Sequence, residues 1–92
     1  MTRGYYRALD GIGHRALRGI ATLTAIGEVS SASLLVESGT PLKEGNRILN
    51  ILKDHEILTR VRPGVYVITS SGKRKLPKLV EQARKPVKED SA

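Results

Sequence analysis

Ninety-two residues are enough for one compact domain and too few for two. Sixteen Lys and Arg against nine Asp and Glu give a formal charge of +7, which favours polyanionic partners, either nucleic acid or an anionic membrane surface. The absence of cysteine excludes disulfides, thiolate metal sites and cysteine nucleophiles together.

The chain has no Phe or Trp, so its core must be built from Leu, Ile, Val and Ala. No apolar run approaches the roughly 18 residues that span a bilayer. The first residues, MTRGYYRALDG, lack the apolar centre of a secretion signal. The membrane reading is therefore the weaker one. A cytoplasmic protein is expected, nucleoid-associated if the source is prokaryotic.

Residues 1–11 gather Arg3, Tyr5, Tyr6 and Arg7 around Gly4. They read either as a loosely packed terminus or as a basic arm laid on a phosphate backbone or a partner subunit. From Gly13 to Ile26, the positions Ile12, Ala16, Leu17, Ile20, Leu23 and Thr24 follow a helical period, and Gly27 is a natural stop. Arg15 and Arg18 fall near the other side, as a solvated face. Ser30 and Ser31 offer an N-cap for a short helix, Ala32 to Ser38, closed by Gly39.

Thr40 and Pro41 then open a longer helix, about Pro41 to His55, with Pro at the first helical position. Its two faces are chemically opposed. Gly45, Ile48, Leu49 and Leu52 make one side, and Gly45 is read as allowing a neighbouring helix to come close. Lys43, Asn46, Arg47 and Asn50 recur at i, i+3, i+4 and i+7 on the other. Two cations and two amides suit phosphates and base edges. Glu44 is the awkward neighbour, because it repels phosphate unless it points away or accepts from a cytosine amino group.

Beyond Ile57 and Leu58, the alternation Thr59-Arg60-Val61-Arg62, the turn signal Pro63-Gly64 and the β-formers Val65 to Thr69 predict a hairpin. Arg60 and Arg62 sit on it, and Arg62 beside the turn is the first choice for phosphate contact. Thr69, Ser70 and Ser71 can cap a last helical segment, with a kink or restart expected at Pro77. Leu76, Leu79, Val80 and Ala83 give it a second apolar stripe. That stripe packs across the domain, or across a twofold axis against a second copy. Residues 57–80 carry Arg60, Arg62, Lys73, Arg74, Lys75 and Lys78 with no acidic residue, a one-sign stretch suited to phosphate. Residues 85–92 read as a disordered tail.

Other chemistry is sparse. His14 and His55 without cysteine make a poor zinc site, and His55 reads as a packed or capping imidazole. Ser30, Ser31 and Ser33 have no nearby base, Glu28 and Glu37 have nothing to place them in a pocket, and no Gly-rich phosphate loop is present. Neither catalysis, a cofactor, a metal nor a small-molecule ligand is expected.

The order short helix, tight turn, longer helix, hairpin resembles a winged helix-turn-helix domain over about residues 13–76. The spacing R-I-L-N-I-L from Arg47, the Ile57-Leu58 close and the run G-V-Y-V-I-T-S-S-G from Gly64 carry the resemblance. Small prokaryotic transcription regulators of the MarR-like and related groups end their wing with a similar Tyr-x-x-Thr-x-x-Gly, here Tyr66, Thr69 and Gly72. Such domains often carry Gly before the apolar close, where this chain has Glu56.

The resemblance implies a mainly α fold with a small β-hairpin: a three-helix core, a two-stranded wing and a C-terminal helical extension. The chain divides into an arm over 1–11, the domain over 12–76, a C-terminal helix over 77–84 for which a homodimer contact is one of the two alternatives, and a tail over 85–92. The same resemblance implies sequence-specific binding of double-stranded DNA by a transcriptional regulator. Helix 41–55 would enter the major groove through Lys43, Asn46, Arg47 and Asn50. Wing 59–69 would use Arg60 and Arg62, and Lys73 and Arg74 would lie on the flank. An RNA- or ribosome-associated binder, a non-sequence-specific DNA-associated protein and a protein-docking module are the alternatives on the same fold.

Overall fold

In the computed structural model, helix α1 (His14–Ile26) starts after Gly13 and stops where the Gly27 N–H donates to the Leu23 carbonyl at 3.0 Å. Leu9 and residues 11–84 are described, so most of the expected arm and all of the expected tail lie outside the described residues. Leu9 itself is 6% exposed and belongs to the core. Thr24 can share the buried stripe of α1 because its hydroxyl donates to the Ile20 carbonyl at 2.8 Å.

Strand β1 (Val29–Ser30) leads directly into helix α2 (Ser31–Ser38). Ser30 caps α2 by accepting from the Ser33 N–H at 3.1 Å, and Ser33 returns the bond by accepting from the Ser30 N–H at 2.9 Å. Gly39, at φ 76°, closes α2 in the left-handed region. Helix α3 (Leu42–Asp54) follows. Pro41 is its N-cap and not its first helical residue: ψ is 149°, and the Pro41 carbonyl accepts from the Gly45 N–H. Its fixed φ and missing N–H suit that position as well.

The end of α3 is a Schellman turn. The Glu56 N–H donates to the Lys53 carbonyl and the Ile57 N–H to the Leu52 carbonyl, both at 2.9 Å. Ile57 and Leu52 are both buried, supplying the apolar contact that accompanies this turn. His55 Nδ1 donates to the Ile51 carbonyl at 3.0 Å, the capping role expected of it.

Strands β2 (Leu58–Arg62) and β3 (Val65–Ile68) form the expected hairpin around Pro63-Gly64, with Gly64 at φ 76°. The sheet has three strands, not the two expected, in the order β1-β3-β2 and all antiparallel. Val29 pairs with Tyr66 and Ser30 with Val65. Two residues are too few for a period-2 signal, which is why this strand does not stand out in the sequence.

Helix α4 (Ser70–Arg84) is one continuous helix with Pro77 inside it, which corrects the expected restart. Pro77 removes one backbone donor, and both Pro77 and Lys73, whose carbonyl loses its partner, lie on the exposed side where water can replace the bond. A division at 76/77 would fall inside this helix. Its stripe Leu79, Val80 and Ala83 is partly buried against the chain's own core, beside α1. The stripe thus has an intramolecular partner.

The core joins all the helices and the sheet through Leu17, Ile20, Val29, Leu34, Leu49, Leu52, Ile57, Leu58 and Leu76, each nearly inaccessible. Close approach of α1 and α2 depends on Gly19, where an added Cβ would meet Leu34 and Ser38 side-chain atoms at 3.0 Å. Gly45 is buried, yet a Cβ there would stand 3.5 Å from Ser31 Cβ, an ordinary contact. The close-approach role expected of Gly45 therefore belongs to Gly19. Among the described residues, no helix is long and apolar enough to cross a membrane.

Candidate nucleic-acid interface

The amphipathic pattern of α3 sets the site. Gly45, Ile48, Leu49 and Leu52 are buried, and Lys43, Asn46, Arg47 and Asn50 are all exposed. At about 100° per residue, the four polar side chains span an arc of about 100° centred opposite the buried stripe. Burial of one face fixes the rotation of the helix and so determines what the other presents to a partner.

Arg47 is held by Glu44, one turn earlier. Arg47 Nε donates to Glu44 Oε1 at 3.1 Å, and Nη2 donates to Oε2. The hydrogen bond to Arg47 holds the Glu44 carboxyl below its ordinary value of 4.5, and the same bond raises Arg47. Glu44 also stands in the first turn of α3, where the partial positive charge of the helix end favours an anion.

Arg60 and Arg62 lie exposed on β2. The structure ties Arg62 down: its Nη1 donates to Glu28 Oε2 at 3.1 Å and its Nη2 to Glu28 Oε1 at 2.6 Å. Both terminal nitrogens of the first-choice phosphate ligand are thus engaged by an acid 34 residues away, just before β1. No pattern in the sequence reveals such a pairing. The Glu44–Arg47 pair, by contrast, follows from i,i+3 spacing on a helix.

Lys73 and Arg74 are exposed on α4, a different element from the helix that carries Lys43, Asn46, Arg47 and Asn50. The start of α4 is anchored beside Ile57, beyond the C-terminal end of α3, about 16 Å along the helix from Lys43. Among the described residues, no ion pair involves Lys43, Arg60, Lys73, Arg74, Lys75 or Lys78. The structure therefore assembles Lys43, Asn46, Arg47 and Asn50 on one helix face, with Arg60 on the hairpin and Lys73 and Arg74 on α4.

Arg15 and Arg18 line a cleft of about 520 Å³ between α1 and α2, together with His14, Gly19, Thr22, Glu37 and Ser38. Its polar lining mixes both signs of charge. Glu37 lies here and Glu28 lies with Arg62, so the two acids occupy separate places. Among the described residues, no cluster of three or more His, Asp or Glu side chains is arranged to hold a metal ion.

No protein-family model, no curated protein and no solved structure matches this chain.

Proposed function

We propose that this protein is a winged helix-turn-helix protein that binds double-stranded DNA with sequence preference, as a small transcriptional regulator. In this reading α2, the Gly39–Pro41 link and α3 form the helix-turn-helix, α3 enters the major groove, and the β2–β3 hairpin is the wing. The observation that carries it is the exposed arc of Lys43, Asn46, Arg47 and Asn50, set opposite a buried stripe that fixes its direction. Two amides and an arginine on one helix face can match adenine and guanine edges, and Lys43 suits a phosphate at the entry of the groove. Arg60 belongs to the wing, and Lys73 and Arg74 to the flank. The +7 charge supplies attraction that is independent of sequence.

The test is a competition titration of duplex DNA against structured RNA at several salt concentrations. If about six phosphates are neutralised, log K falls against log salt with a slope near −5. Preference for duplex DNA with that slope supports the reading. A flat salt response, or stronger competition by RNA, overturns it.

A further inference from the structure

Two arginines of the candidate interface are each held by a glutamate, but by different edges. A guanidinium offers two edges with paired, parallel N–H groups: a side edge of Nε and one Nη, and an end edge of both Nη. Glu44 occupies the side edge of Arg47 through Nε and Nη2. Each Nη carries two hydrogens, so the end edge keeps one on Nη1 and one on Nη2. That pair matches O6 and N7 of guanine. Glu28, by contrast, takes the end edge of Arg62 through Nη1 and Nη2.

We propose that Glu44 is a positioning residue, which holds Arg47 by its side edge so that the end edge reads a guanine from the first half of α3. The inference rests on the duplex-DNA reading above. Glu44 lies about 60° around the helix axis from Arg47, on the flank of the polar arc and not at its centre. The carboxylate therefore approaches from the side and leaves the rest of the arc, Lys43 and Asn50 in the middle and Asn46 at the far edge, free of negative charge. Holding the guanidinium before binding removes rotamers that would otherwise be lost on contact. Partial neutralisation of Arg47 weakens its attraction for phosphate on any sequence, so its contribution shifts from charge to hydrogen-bond pattern. Glu44, awkward as a lone acid on a DNA-facing helix, becomes part of the reading device.

Selection from a randomised duplex pool with the wild type, Glu44→Gln and Arg47→Lys tests this. Titrations then use the selected duplex and a copy with 7-deazaguanine, which lacks the N7 acceptor. The expected result is a guanine fixed by the wild type and a loss of about tenfold on 7-deaza substitution. Arg47→Lys, with charge but no fork, gives a loss below about threefold. Glu44→Gln binds random duplex as tightly as wild type or more tightly, yet its 7-deaza loss falls toward the Arg47→Lys value.

A Glu44 that serves only the helix dipole lowers the melting temperature of Glu44→Gln and leaves base preference and the 7-deaza loss unchanged; that result overturns the proposal. Duplex binding by the wild type with no guanine fixed also overturns it, while the duplex reading stands. No duplex binding at all overturns both. Glu44 is half-exposed, so the Gln variant is expected to fold, and circular dichroism checks this.

Discussion

Gly72 lies so close to the carbonyl of Ile57 that a Cβ built on it would stand 2.1 Å from that oxygen. Thr69 prepares this contact. Its hydroxyl donates to the Glu56 carbonyl at 2.7 Å and accepts from the Gly72 N–H at 2.8 Å, capping α4 and binding it to the end of α3. Because backbone faces backbone, no side chain can give way. Gly72→Ala should destabilise the domain by about 3 kcal/mol, the upper range for overpacking. Urea unfolding checks this, and a loss below about 1 kcal/mol would mean that α4 is not anchored there.

Glu56 holds φ at 60°, the only left-handed residue other than glycine among the described residues. It occupies the position in the Schellman turn of α3 that glycine fills without steric conflict. Glu56→Gly should stabilise by about 0.5–1 kcal/mol, the relief of left-handed strain less the added freedom of the unfolded chain. Chemical denaturation of the pair of proteins tests the sign, and a less stable glycine variant counts against the assignment.

The register Tyr66, Thr69, Gly72 was legible in the sequence, and each residue has its own reason: Tyr66 is buried in the core, Thr69 caps, and Gly72 admits a carbonyl. Helix α3 and the hairpin were legible as well, because local periodicity and turn chemistry determine them. Strand β1 was not, since a two-residue strand exists only through its partner β3. Pro77 misled because local rules assign it a break, whereas Leu76 and Leu79 on either side are held by the core. At the candidate site, the residues facing outward from α3 could be read from spacing alone. The fate of Arg62 could not, because Glu28 meets it only once the sheet has formed.

Gly45 illustrates the same limit in packing. It is helical and buried, but an added methyl would sit at van der Waals distance from Ser31 and Leu34. Gly45→Ala should therefore gain about 0.5–1 kcal/mol from helix propensity. Thermal unfolding decides it, and a lowered melting temperature would restore the close-approach role expected from the sequence.

The Glu44–Arg47 pair has a signature in its titration. Arg47 lowers the Glu44 carboxyl, so the folded state binds its proton more weakly than the unfolded chain does. The pair's stabilisation is thus fully present above 4.5 and is lost only as pH falls through the lower folded value. Carboxyl carbon chemical shifts should give a Glu44 midpoint below 4.5 in the wild type and a return toward it in Arg47→Ala. Identical midpoints in the two proteins would rule out the contact in solution.

Glu28 is expected to restrain the hairpin. It occupies the end edge of Arg62, the two nitrogens best placed to clamp a phosphate. Both side chains are about half-exposed, so the pair adds at most about 1 kcal/mol to stability, and breaking it leaves the fold intact. Its effect on binding is larger in kind, because an arginine shared with a carboxylate must exchange partners before it meets DNA. Under the duplex-DNA reading, Glu28→Gln should tighten binding several-fold at low salt and steepen the slope of log K against log salt by up to about 1. A cycle with Arg62→Ala isolates the cause. The alanine should cost little with Glu28 in place and clearly more in the Glu28→Gln protein, since only there is the guanidinium free to bind. Equal losses in the two backgrounds would mean that Glu28 does not restrain Arg62, and losses near zero in both would mean that Arg62 never reaches the backbone and that Arg60 alone supplies the hairpin's charge.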